Sequence, residues 1–176
     1  MKNKFLILGD VTVIFLQKVR GKQLRTIIDT VDLPRAQEFP HTWTAGIKDH
    51  YVRGKFQEPR NGRKNPPIQT VSLHRWITNA SSGLQVDHKN HIPLDNRRSE
   101  NLRIGTQSLN QQNRKEAYCK SGYRGVYPKG NKWKVEIMVQ GKRFYLGIYG
   151  DKKFAAQVAS EARAACMPFT QEILIS

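Results

Sequence analysis

The feature that most constrains the fold is the alternation of residues 132–149. In KWKVEIMVQGKRFYLGIY, Trp133, Val135, Ile137 and Val139 fall on one face of a strand, and Phe144, Leu146 and Ile148 on one face of the next. Gln140-Gly141 supplies the turn between them, and a further short strand is expected at 123–127. Asp151 can cap a helix running to about Ala165, with Phe154, Val158 and Ala162 forming a stripe that covers the apolar face. The expected unit, 121–170, is a three-stranded antiparallel sheet packed on one helix. Its uncovered face would carry Lys134, Glu136, Met138, Arg143 and Tyr145.

Such a face usually meets only solvent. The charge of the chain points elsewhere. Thirty Lys and Arg against fourteen Asp and Glu leave a formal charge of +16, and such a field attracts polyanions. The surplus is +7 over residues 1–70, +4 over 71–120 and +5 over 121–176. It is spread along the chain and not held in a basic arm, so an extended nucleic-acid contact is expected, with the uncovered sheet face lying in a DNA groove. Two cysteines, Cys119 and Cys166, form no CxxC pair, which excludes a cysteine zinc finger and a disulfide scaffold and fits a reducing cytoplasm. The N-terminal FLILGDVTVIFL is broken at Gly9-Asp10 and reads as two strands, not as a membrane span.

Residues 1–67 read as a β-rich region with strands at 4–8, 11–17, 23–29, 42–48 and 50–56, and a short polar segment from Asp32 to Phe39. The loop QEPRNGRKNPP follows, basic enough for phosphate contact or simply solvated. Residues 68–80 begin as a strand and turn helical through Leu73, Trp76 and Ile77. A strand at 84–88 delivers Asp87 and His88, LRIGT at 102–106 reads as its partner, and Thr106 or Ser108 caps a helix to about Lys115. The linker EAYCKSG leads into the C-terminal unit.

The stretch LQVDHKNHIPLDNRRSENLRIGTQSLNQQNR holds the candidate chemistry. Asn101 follows His88 by thirteen residues and Asn110 follows Asn101 by nine. With an ordinary pKa of about 6.5, His88 can be the neutral base that takes a proton from water. Asp87 is a hard carboxylate suited to Mg²⁺, and Asn110 can add a neutral oxygen from the helix. Asn101 can hydrogen-bond backbone across the loop and hold His88 in place. Arg97 and Arg98 offer guanidinium forks to phosphate, and His91 is read as a loop contact. Cutting a phosphodiester bond needs these parts.

This spacing resembles the HNH nuclease motif, whose ββα-metal core uses a histidine base, a loop-bracing asparagine and a metal ligand on the helix. More narrowly, LHRWI, VDHKNHIPLDNRRSENLRI and SLNQQNR look like phage and intron-borne HNH homing endonucleases. The resemblance implies Asp87 and Asn110 as metal ligands, His88 as base and Asn101 as brace, with Asn113 a second choice on the helix. Asparagine in place of histidine at the helix site favours Mg²⁺ or Mn²⁺ over zinc. Residues SGYRGVYPKGNKWKVEIMVQGKRFYLGIY and the alanine-rich helix after them resemble the APETALA/ethylene-response-factor DNA-binding domain. That likeness implies DNA contacts by Arg124, Tyr127, Lys134, Glu136, Arg143 and Tyr145. Tyr127 and Met138 stand where that family often has arginine, and Tyr145 replaces a common tryptophan, so no base preference carries over.

The expectation is an α+β protein with a β-rich region at 1–67, an HNH core at 68–116 and a DNA-binding unit at 121–170. It would be a metal-dependent endonuclease of the homing type acting on double-stranded DNA in the cytoplasm of a bacterium or phage-infected host. It would leave 5′-phosphate and 3′-hydroxyl ends, with one site per chain implying nicking, and no membrane, small-molecule substrate or protein partner is implied. A DNA-binding regulator with an inert core is the alternative, and an RNA-binding basic protein the third reading.

Overall fold

Gly9, with φ of 59°, turns the first apolar run back on itself, pairing β1 (Phe5–Leu8) antiparallel with β2 (Val11–Phe15). The computed structural model describes residues 1–17, 21–62, 64–113 and 120–170. These form a mixed α/β structure of several small antiparallel sheets and four helices, divided into two compact units, Met1–Ile104 and Gly105–Ser176. No helix among the described residues is long and apolar enough to cross a membrane.

In the first unit β3 (Arg25–Asp29) completes the sheet β1-β2-β3. A second sheet runs β4-β5-β6, from Trp43–Ala45, Val52–Gln57 and Ile68–Ser72. Asn3 joins the two. Its Nδ2 donates to the carbonyls of Phe15 at 2.9 Å and Trp43 at 3.0 Å, and its Oδ1 accepts from the Trp43 amide at 2.7 Å. The segment read as polar, Asp32 to Phe39, instead contains a helix, α1 (Leu33–Gln37), with Pro34 in its first turn. Leu33 and Ala36 are buried there, and Phe39 behind them packs on Trp43 with ring centroids 4.3 Å apart. Three apolar residues among polar ones suffice for one buried helical stripe, and strand alternation does not show it.

Helix α2 (Leu73–Thr78) buries Leu73 and Ile77 one turn apart and ends at Asn79 in the left-handed conformation. The pair β7 (Gln85–His88) and β8 (Leu102–Gly105) follows. A single apolar core runs through this unit, from Ile14 and Ile28 through Trp43, Val52 and Leu73 to Val86 and Leu102. The N-terminal region and the strand bearing Asp87 and His88 are therefore packed on the same interior.

The second unit begins with α3 (Gln107–Gln112), whose N-cap Thr106 accepts from the Leu109 amide at 3.3 Å. The helix ends at Asn113; its expected extension to Lys115, the linker from Glu116 and Cys119 lie outside the described residues. The sheet β11-β10-β9 is built from Lys142–Tyr149, Lys132–Val139 and Val126–Lys129. Its first strand starts three residues later than expected, because Gly125 sits at φ 80°, where a Cβ would lie 2.7 Å from the Glu136 carbonyl.

Two packing expectations are corrected. Val135 pairs with Gly147 but Glu136 pairs with Tyr145, so Leu146 is the extra residue of a β-bulge. Beyond it the alternation inverts. Ile148, expected on the covered face, pairs with Lys134 on the open one, while Tyr149 pairs with Trp133 against the core. On α4 (Lys152–Cys166) the buried residues are Ala155, Ala156, Ala159, Ser160 and Arg163, with Val158 and Ala162 only half-buried and Phe154 exposed beside Tyr149. Alanines let helix and sheet approach more closely than the larger expected side chains allow.

Candidate active site

Alternation along β7 buries Val86 and His88 and turns Asp87 the other way. Asp87 meets Arg103 of β8, whose Nε and Nη2 donate to its Oδ2 at 2.9 and 2.7 Å. Sequence reasoning took LRI only as a strand; cross-strand pairing makes Arg103 the partner that orients the candidate ligand.

His88 is 3 % exposed and is held as part of the interior, not as a mobile surface group. Its Nε2 lies 3.2 Å from Asn96 Oδ1. Burial pushes its pKa below the ordinary value, against the opposing pull of Asn96 and of the charges on Asp87 and Asp95. The ring is therefore neutral near pH 7, the form a general base needs.

Two rings that sequence reasoning missed surround it. His74 of α2 lies edge-on to His88 at 5.1 Å, and Tyr51 lies 5.5 Å from each. His74 stood inside LHRWI; Tyr51, thirty-seven residues upstream of His88, has no local signal. Arg75 donates to the carbonyls of Leu84 at 2.7 Å and of Ala80 and Ser81 at 3.2 Å, which fixes α2 to the start of β7.

The loop between β7 and β8 is braced at many points. Asn101, 2 % exposed, accepts from the Asn90 amide at 2.9 Å through Oδ1 and donates through Nδ2 to the Asp95 carbonyl at 2.6 Å. The Lys89 amide donates to the Asn101 carbonyl at 2.9 Å. His91 takes a φ of 59° and donates its amide to the His88 carbonyl at 3.0 Å. Arg97 and Arg98 each meet a carboxylate. Arg97 grips Asp95 through Nε and Nη2, both at 2.9 Å, and Arg98 reaches Asp32 at 2.8 Å. Burial alone would raise Asp95, but the Arg97 guanidinium holds its carboxyl below the ordinary value.

His74 gives a pH prediction. Burial first, then the charges of His88, Arg75 and Arg53, lower its pKa to about 3. Unfolded chains take up this proton below about 6.5 and the folded one only near 3, so stability is complete above the upper value and falls as pH drops through the window. The slope is at most about 1.4 kcal/mol per pH unit. Urea unfolding at pH 8 and pH 5 should show the wild type losing more stability than His74→Phe.

In the second unit Asn110 lies in α3 and Asn113 caps its end. Arg124 donates to the Gln112 carbonyl at 2.7 Å, a cation at a helix C-terminus. On the open sheet face Lys134 pairs with Glu136 at 3.0 Å and lies 5.7 Å from the Tyr127 ring. Met138 and Tyr145 are exposed there, with Arg143 opposite Met138.

Among the described residues no group of three or more His, Cys, Asp and Glu is placed to hold a metal, the donor set a structural zinc would need. One carboxylate and amide oxygens suit a hard cation that keeps water and phosphate in its shell.

The family model for HNH endonuclease matches residues 71–112, from the end of β6 through α3. The chain therefore carries an HNH endonuclease domain over those residues. No curated protein and no solved structure matches the chain.

Proposed function

We propose that the chain is a metal-dependent endonuclease that hydrolyses phosphodiester bonds in double-stranded DNA. The observation that carries this reading is His88: buried, neutral near pH 7 and fixed by Asn96, at the end of a loop braced by Asn101, inside the HNH match. His88 takes the proton of the attacking water. Asn101 keeps the loop closed around that base, and Arg103 holds the Asp87 carboxylate in one orientation. Asp87 and Asn110 would hold Mg²⁺ or Mn²⁺. When bound, the cation would offset charge on the scissile phosphate and the leaving 3′ oxygen.

The ββα-metal arrangement and the homing type belong to this proposal, supported by the LHRWI and SLNQQNR segments and by the basic C-terminal unit. That unit would supply DNA affinity like an APETALA/ethylene-response-factor domain, its open face meeting the major groove through Tyr127, Lys134, Glu136, Arg143 and Tyr145, with Arg124 at its edge. Arg97 and Arg98 would reach phosphate from the loop while keeping their carboxylate partners. Arg143→Ala should weaken DNA binding, lower the salt slope of log affinity by about one, and leave the rate per bound complex unchanged. Affinity titrations at several salt concentrations, beside single-turnover rates, check it.

One observation favours a second reading. Arg103 already makes two bonds to Asp87 Oδ2, as a core that holds no cation would have it. The chain would then be a DNA-binding regulator. The chemistry of the cut ends tests the nuclease reading: the proposed hydrolysis leaves 5′-phosphate and 3′-hydroxyl, so DNA ligase alone should reseal the nicks. Nicks that ligase cannot reseal without end repair would refute it.

A further inference from the structure

The first sheet reaches into the loop that carries the proposed base. The free edge of β3 takes up residues 94–96. The Ile27 amide donates to the Leu94 carbonyl at 3.0 Å, the Asn96 amide to the Ile27 carbonyl at 2.8 Å, and Ile27 bridges Asp95 in parallel. At the end of β3 the Asp29 carboxylate accepts from the Ser99 amide at 2.8 Å and its hydroxyl at 2.7 Å. A lead-in strand thus grips the loop along its length.

One chain of hydrogen bonds continues from this strand to His88. The Thr26 hydroxyl donates to the Leu94 carbonyl at 2.8 Å. Its proton is committed, so its oxygen accepts from Asn96 Nδ2, also at 2.8 Å. The second proton of that amide goes to the Pro93 carbonyl at 3.1 Å. A carbonyl can only accept, so both contacts require nitrogen on that side of the Asn96 amide. Its Oδ1 is then directed at His88 Nε2, 3.2 Å away, and it too can only accept. Nε2 must carry the hydrogen. A neutral imidazole has one N–H, which leaves Nδ1 as its basic nitrogen. Thr26, Asn96 and His88 are 1 %, 0 % and 3 % exposed, so water does not compete for these bonds.

We propose that Thr26 and Asn96 are positioning residues that lock His88 in the Nε2–H tautomer and so leave Nδ1 as its basic nitrogen. The proposal rests on the nuclease reading for its use in catalysis, while the tautomer itself is independent of any activity. It also gives the β-rich N-terminal region a task, since Thr26 sits on β3 and reaches Asn96 seventy positions along the chain.

The test uses the full chain labelled with ¹⁵N-histidine. Long-range proton–nitrogen spectra above pH 7.5 identify which ring nitrogen is protonated, with His88→Ala assigning the signal. The wild type should show Nε2–H at His88. Thr26→Val keeps the shape but cannot accept from Asn96; it should show mixed tautomers and lower kcat by about tenfold, the fold equivalent of one net hydrogen bond, with KM for DNA unchanged. Thr26→Ser keeps the hydroxyl and should restore both, which separates the relay from a general loss of packing. An Nδ1–H tautomer in the wild type overturns the proposal, as does a Thr26→Val protein with unaltered tautomer and kcat. A wild type that shows Nε2–H, with Thr26→Val mixing the tautomers, yet cuts no DNA would support the relay and sink the nuclease reading instead.

Discussion

Replacing His88 with alanine is expected to slow cleavage by about 10²–10⁴-fold, the usual contribution of a positioned general base. DNA affinity should change little, because the ring is almost wholly enclosed by Tyr51, His74 and Asn96 and offers no charge to phosphate. Single-turnover rates at saturating protein, beside a binding titration at the same salt, measure both quantities. A cavity beside Tyr51 and His74 will also cost stability, so the comparison belongs at a temperature where the variant is shown to be folded. Loss of affinity with an unchanged rate per bound complex would remove His88 from the chemistry.

Trp43→Ala should carry the largest cost in stability, about 3–5 kcal/mol, as for other buried large aromatics. Its ring is fully buried, packs against Phe39 and lies edge-on to Trp76 at 6.4 Å. Its Nε1 donates to the Ala36 carbonyl at 3.2 Å, so truncation also leaves a buried acceptor without that donor. Against a total of about 5–15 kcal/mol, this is a large share. The same core runs from Ile14 to Leu102, so the loss should reach the strand that carries Asp87 and His88. Urea unfolding followed by tryptophan fluorescence, with cleavage measured in parallel, should show the proposed activity lost in step with the folded fraction. Independent unfolding of residues 1–67 and 68–104 would contradict a shared core.

The strand pairs and the loop were legible because they rest on local signals. Gly9-Asp10 and Gln140-Gly141 mark turns, and alternation marks β10. What escaped depends on partners distant in sequence or on a single inserted residue. Leu146 looks like any apolar member of its strand, yet as a bulge it moves Ile148 to the open face. Arg103 is only one residue of an expected strand until β8 lies beside β7. Asn96 carries no signal of its own beside Asn101, which matches the expected brace, although its Oδ1 lies 3.2 Å from His88 Nε2. Its importance shows only once β3 places Thr26 against it. Tyr51 and His74 are likewise brought to His88 by packing, with no spacing rule linking the three.

The measurement that bears most directly on the proposed function is incubation of supercoiled DNA with the full chain in Mg²⁺, in Mn²⁺ and in EDTA at one fixed salt concentration. The account predicts conversion to the nicked form with either cation and none in EDTA. Tight binding with no cutting in any of the three, across a broad panel of DNA, would contradict it and leave a DNA-binding protein whose Asp87 is committed to Arg103.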